Sequence, residues 1–120
     1  NEKTTILRES SLPCPGTFFL GLAFMGPPIQ SSIINAAQGA NYLMVKPGMT
    51  SIDLIQDIKA ETLLPTGAYQ VSGEFASLQL LDSQGLGKYP DLLMETLKVF
   101  SRARADYIIT YGARDIVSYL

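Results

Sequence analysis

The sequence contains no histidine, no tryptophan and a single cysteine, Cys14. Without histidine the chain can run no Ser-His-Asp or Cys-His mechanism unaided. One cysteine excludes an internal disulfide, and with no imidazole beside it no thiolate–imidazole zinc site can form within the chain. Cys14 stands between Pro13 and Pro15 in a loop-like stretch and reads as structural or incidental. Charge is also scarce, at 17% of residues with a formal net charge of −2. That balance offers no electrostatic footprint for nucleic acid or an anionic membrane as partner. Long apolar runs are missing too. The longest, Phe18 to Met25, is broken by Gly21 and is far too short to span a bilayer. As a signal-peptide core it is poorly flanked, by a mixed-charge stretch before it and no small-residue cleavage site after it. A soluble, cytoplasmic protein is the expectation.

What is present is an ordinary globular composition, 47% apolar over 120 residues, enough for one domain with a hydrophobic core. Residues 1–26 form an unassigned, irregular N-terminal segment, in which prolines and glycines favour loop and extended chain over helix. Regular patterning fills residues 27–120. Residues 31–39 read as a short helix stopped at Gly39. Tyr42-Leu43-Met44-Val45 is a continuous apolar run of the kind a doubly buried strand shows, and Lys46-Pro47-Gly48 ends it. Thr50 and Asp53 resemble a capping box opening a helix with Ile52, Ile55 and Ile58 on one face.

The pattern repeats with a strand over residues 66–71, a helix over 74–81 and a turn-rich stretch over 82–89. A long helix follows from Pro90 to about Ala103, burying Leu93, Leu97 and Phe100, with proline suited to its first turn. A third strand over 107–110 and a helix over 113–120 close the chain. Strand–helix units in succession predict an α/β protein with a parallel sheet.

Each strand delivers polar residues where it ends: Lys46 from the first, Tyr69 and Ser72 from the second, Thr110 and Tyr111 from the third. Parallel α/β folds bind ligands beyond those ends. A lysine there, in poorly solvated surroundings, would have its pKa lowered and would offer a free amine able to attack a ketone and form an imine. Hydroxyls from Ser72, Tyr69 or Tyr111 could bind substrate oxygens or pass protons. Each has a plainer reading: a solvated lysine end-cap, half-buried tyrosines with wet hydroxyls, and a Ser-Gly turn. Glu74 is explained by the helix dipole, Asp53 by its cap, and Arg102 and Arg104 by a solvated helix end.

Three segments carry a resemblance. Met44-Val45-Lys46-Pro47-Gly48-Met49 with Asp53 behind it is similar to the signature around the imine-forming lysine of the porphobilinogen synthase (5-aminolevulinate dehydratase) family. Tyr69-Gln70-Val71-Ser72-Gly73-Glu74-Phe75 and Ala105-Asp106-Tyr107-Ile108-Ile109-Thr110-Tyr111 resemble two further family segments, in the family's order and spacing. The resemblance covers residues 39–120, with a weaker extension back to Pro27. It implies a partial (β/α)8 TIM barrel, roughly the last three strand–helix units, with both outer strands left as open edges. It implies further that Lys46 forms the Schiff base, that Ser72 and Tyr111 hold the carboxylate of the same substrate molecule, and that Tyr69 walls the pocket. The family reaction joins two molecules of 5-aminolevulinate, with loss of water, into porphobilinogen in tetrapyrrole (heme) biosynthesis.

The resemblance also implies a homo-oligomer, commonly an octamer, and zinc or magnesium dependence through residues outside this chain, so no cofactor is expected within it. A plastid is the alternative location in a photosynthetic eukaryote. Two departures stand out: Thr50-Ser51 where the family commonly has Pro-Tyr, and Arg104 where it carries a glycine, which puts the helix-to-strand packing there in doubt. Family enzymes are more than twice this length, and their second lysine and the arginines for the other substrate molecule fall outside the match. The chain is therefore expected to be a fragment or a truncated relative, with little turnover alone. The competing readings are a class I aldolase, which shares the barrel and the imine, and a non-catalytic truncated paralogue that binds full-length subunits.

Overall fold

The computed structural model describes residues 5–7, 17–21 and 28–119. Five strands form one sheet: β1 (Thr5–Leu7), β2 (Thr17–Gly21), β3 (Tyr42–Lys46), β4 (Thr66–Tyr69) and β5 (Tyr107–Ile109). Their spatial order is β1-β5-β4-β3-β2, and every neighbouring pair is parallel. The helices are α1 (Pro28–Ala37), α2 (Leu54–Thr62), α3 (Ser72–Ser83), α4 (Tyr89–Arg102) and α5 (Ala113–Ile116). The α/β class with a parallel sheet is as the sequence predicts. The irregular reading of residues 1–26 is corrected where they are described, because Thr5–Leu7 and Thr17–Gly21 are strands. They pair with β5 and β3, so the two strands expected as open edges are each covered. Cys14 and the loop-like stretch 10–16 lie outside the described residues.

Side-chain alternation gives the sheet two buried faces. Leu43 and Val45 of β3, Ala68 of β4 and Ile108 of β5 face a core built with Ile55 and Ile58 of α2, Leu93, Leu97 and Phe100 of α4, and Ile116. Met44, Tyr69, Tyr107 and Ile109 cluster on the opposite face. Continuous apolar strands are what such double burial requires. Each fully buried large side chain, such as Phe100 or Ile58, contributes roughly 1.5–3 kcal/mol.

Tyr107 ties the central strands together. Its ring crosses Gly67, where an added Cβ would overlap it, and its hydroxyl donates to the Leu43 carbonyl at 2.6 Å. At the same amino end of the strands Asp106 accepts the Thr66 N–H at 2.8 Å and the Lys59 ammonium at 2.7 Å. Lys59 also donates to the Arg104 carbonyl at 2.9 Å. Arg104 itself has φ of 65°, a left-handed conformation in which a glycine carries no Cβ penalty. The helix-to-strand connection therefore forms despite the arginine, at some local cost.

Element ends differ in instructive ways. The capping box proposed from Thr50 and Asp53 is absent: a 3-10 turn at Met49–Ser51 runs directly into Ile52 and Asp53, which are already helical. Asp53 makes no capping hydrogen bond, since an N-cap side chain needs non-helical backbone to reach back. Helix α3 begins at Ser72, two residues earlier than expected, and the closing segment tightens after Ile116 into a 3-10 turn at Val117–Tyr119. Pro90 does sit in the first turn of α4, and Gly39 takes the left-handed φ of 97° after α1.

Candidate functional site

The carboxyl ends of β3, β4 and β5 lie side by side, because Val45 pairs with Ala68 and Tyr69 with Ile109. One step beyond Val45, Lys46 stands next to Tyr69, on the sheet face that Met44 and Ile109 occupy. Its Nζ lies 4.9 Å from the centre of the Tyr69 ring, in cation–π range. Tyr69 is buried, at 4% exposure, and its hydroxyl is hydrogen-bonded to that of Tyr111 at 3.0 Å. Tyr111 is 49% exposed, so this pair links the interior face to the open rim. The structure thus brings Lys46, Tyr69 and Tyr111 into one contiguous set.

Ser72 occupies the first position of α3, exposed, directly after the turn that leaves β4. Its hydroxyl makes no hydrogen bond among the described residues. It stands at the positive end of a 12-residue helix, where first-turn N–H groups favour an anion. Thr110, the other strand-end hydroxyl, is committed to structure. It is buried, donates to Gln70 Oε1 and accepts the Gly112 N–H at 3.1 Å.

Lys46 departs from expectation in its surroundings. The residue is exposed, so the poorly solvated environment inferred from an apolar strand is not found. Burial of a strand-end side chain depends on whatever covers the sheet there, which the strand's own residues do not specify.

Several contributors had little or no sequence signal. Phe75 packs against Tyr111 and Tyr89, with ring centres 5.8 Å away in each case, and so backs the Tyr111 ring. Tyr89 donates to Asp115 at 2.6 Å, and burial together with that carboxylate pushes its phenol well above the usual range. Gly48 presses against the Phe100 ring and donates its N–H to the Tyr69 carbonyl at 2.8 Å. Glu74, read as a dipole residue, accepts from two backbone N–H groups on two different loops. Phe75 and Glu74 lie within the second matched segment, the one available pointer to them; their contacts are non-local.

No group of three histidine, cysteine or acidic side chains suited to a metal occurs among the described residues. These residues do not fit a metal centre, and no chemical step is assigned to one. No helix among the described residues is long and apolar enough to cross a membrane.

Comparison with known proteins matches residues 23–119 to the family described as "Delta-aminolevulinic acid dehydratase". The Helicobacter pylori enzyme of that name is 43% identical over 89 residues, covering 74% of this chain and 28% of the enzyme. The Escherichia coli enzyme is 40% identical over 88 residues, covering 73% of this chain and 27% of the enzyme. The crystal structure of the Toxoplasma gondii enzyme, solved with its reaction product porphobilinogen, superposes with a TM-score of 0.74 and 36% identity. That superposition covers 78% of this chain and 26% of the other. The chain therefore spans about a quarter of the length of these relatives.

Proposed function

Because the chain belongs to the delta-aminolevulinic acid dehydratase family, we propose that it supplies the imine-forming side of a porphobilinogen synthase active site, with Lys46 as nucleophile. The observation that carries this reading is the placement of the Lys46 ammonium over Tyr69, whose hydroxyl is bonded to Tyr111, at the carboxyl edge of three adjacent parallel strands.

The chemistry follows from these groups. The Lys46 amine adds to the ketone of 5-aminolevulinate, and loss of water leaves an imine that withdraws electrons from the neighbouring carbons. The Tyr69 ring face attracts the cationic iminium. Ser72 and Tyr111 donate hydrogen bonds to the carboxylate of the same molecule, aided by the N-terminus of α3. The five-stranded sheet represents part of a (β/α)8 barrel. The second 5-aminolevulinate would be bound by residues beyond those described, as would any zinc or magnesium, and the working form would be a homo-oligomer in cytoplasm or plastid. These 120 residues alone would give little turnover.

In borohydride trapping with 5-aminolevulinate, Ser72→Ala and Tyr111→Phe should each raise the half-saturating concentration about tenfold, as loss of one hydrogen bond to a charged group does. Unchanged saturation in both variants would refute the carboxylate assignment. A second reading, a non-catalytic relative that binds full-length subunits, draws support from the exposure of Lys46 and of Leu80, Leu81 and Leu86 on and after α3. Co-purification with a complete subunit, without imine formation by this chain, would favour it. The aldolase reading is set aside by the family match.

A further inference from the structure

Glu74 makes a pair of contacts that a helix cap alone does not explain. Its Oε2 accepts the Val71 N–H at 3.2 Å, the local bond that a first-turn glutamate makes with the residue preceding its helix. Its Oε1 accepts the Met49 N–H at 3.0 Å, from the loop that follows Lys46. One carboxylate thus spans the loop after β3 and the turn after β4, with a charge-assisted hydrogen bond to each. The Gly48 N–H also donates to the Tyr69 carbonyl at 2.8 Å, and the Lys46 ammonium lies over the Tyr69 ring, so the clamp adds to contacts closer to the strand ends. The loop is tightly seated there, since an added Cβ on Gly48 would come within 2.9 Å of that carbonyl.

We propose that Glu74 is a positioning residue that fixes the span between Lys46 and Ser72, and through it selects ketones carrying a carboxylate at the matching distance. Lys46 lies three residues before Met49 and Ser72 directly after Val71, so each end of the clamp holds one of the two groups. The selectivity part rests on the imine reading above; the clamp itself rests on geometry alone.

The test compares the whole chain with Glu74→Ala and Glu74→Gln in two assays. The first is borohydride trapping with 5-aminolevulinate and with 2-pentanone, a five-carbon ketone lacking the carboxylate. The second is amide hydrogen exchange at Met49 and Val71. Glu74→Ala should cut the preference for 5-aminolevulinate about tenfold, leave 2-pentanone trapping unchanged, and speed Met49 exchange about tenfold. Glu74→Gln, whose amide oxygen can serve only one of the two donors well, should fall between. An unchanged preference, or faster exchange confined to Val71 and the start of α3, would overturn the proposal by reducing Glu74 to a cap. Should the unaltered chain trap no 5-aminolevulinate, the imine reading fails and the selectivity with it, while Met49 exchange still decides whether Glu74 joins the two loops.

Discussion

Replacing Tyr107 by phenylalanine tests how the central strands are held, because it removes one atom from a buried, defined contact. The hydroxyl is lost from a residue 6% exposed, and with it the 2.6 Å bond to the Leu43 carbonyl. A neutral hydrogen bond contributes about 1 kcal/mol net, and a carbonyl left short of a donor in a dry interior raises the cost towards about 2 kcal/mol. At neutral pH the variant should therefore be less stable by about 1–2 kcal/mol. Alkaline pH adds a second signature. Burial, followed by the nearby Asp106 charge, raises the Tyr107 phenol well above its ordinary value of 10.0. The folded state then keeps a proton that the unfolded state releases, so this contribution is complete below pH 10 and is lost as pH rises beyond it. The loss can reach about 1.4 kcal/mol per pH unit. Urea denaturation followed by circular dichroism at pH 7, 9, 10 and 11 should show the stability advantage of the unaltered chain constant up to pH 9. It should then shrink and approach zero by about pH 11, since the variant has no phenol to titrate. Equal stability at pH 7 together with parallel curves to pH 11 would refute the assignment of Tyr107 as the cross-strand tie.

Two further substitutions probe the backbone around the sheet. Arg104→Gly relieves a left-handed residue at φ 65° and should stabilise the chain by about 0.5–1 kcal/mol, measurable as a higher urea midpoint at unchanged slope. The gain falls short of the full left-handed penalty because glycine is more flexible when unfolded. Gly67→Ala places a methyl where the Tyr107 ring lies and should cost about 1–3 kcal/mol, and Gly67→Ala combined with Tyr107→Leu should cost less than the sum of the two.

The strands β3, β4 and β5 were legible because each is a short buried run closed by a turn or by polar residues, and α4 because Pro90 marks its first turn and Leu93, Leu97 and Phe100 recur at helical spacing. Lys46, Tyr69 and Tyr111 were legible as a group for a related reason: parallel strands of matched register bring their carboxyl ends together. What escaped was non-local. The start of α2 depends on a 3-10 turn that the sequence disguises as a capping box. The pairing of Thr5–Leu7 with β5 joins residues about a hundred apart in sequence, beyond the reach of any local pattern. Glu74 looks like an ordinary first-turn acid until Met49, 25 residues earlier, is found against it. The exposure of Lys46 is likewise a property of its neighbours in space.

The proposed function stands or falls on Lys46 as the group that forms an imine with 5-aminolevulinate. Borohydride reduction of the chain with that amino ketone, followed by peptide mass mapping, tests it directly. One reduced adduct is expected, on Lys46 and absent from Lys46→Ala. An adduct that persists in Lys46→Ala, or no adduct in a chain shown to be folded, would contradict it.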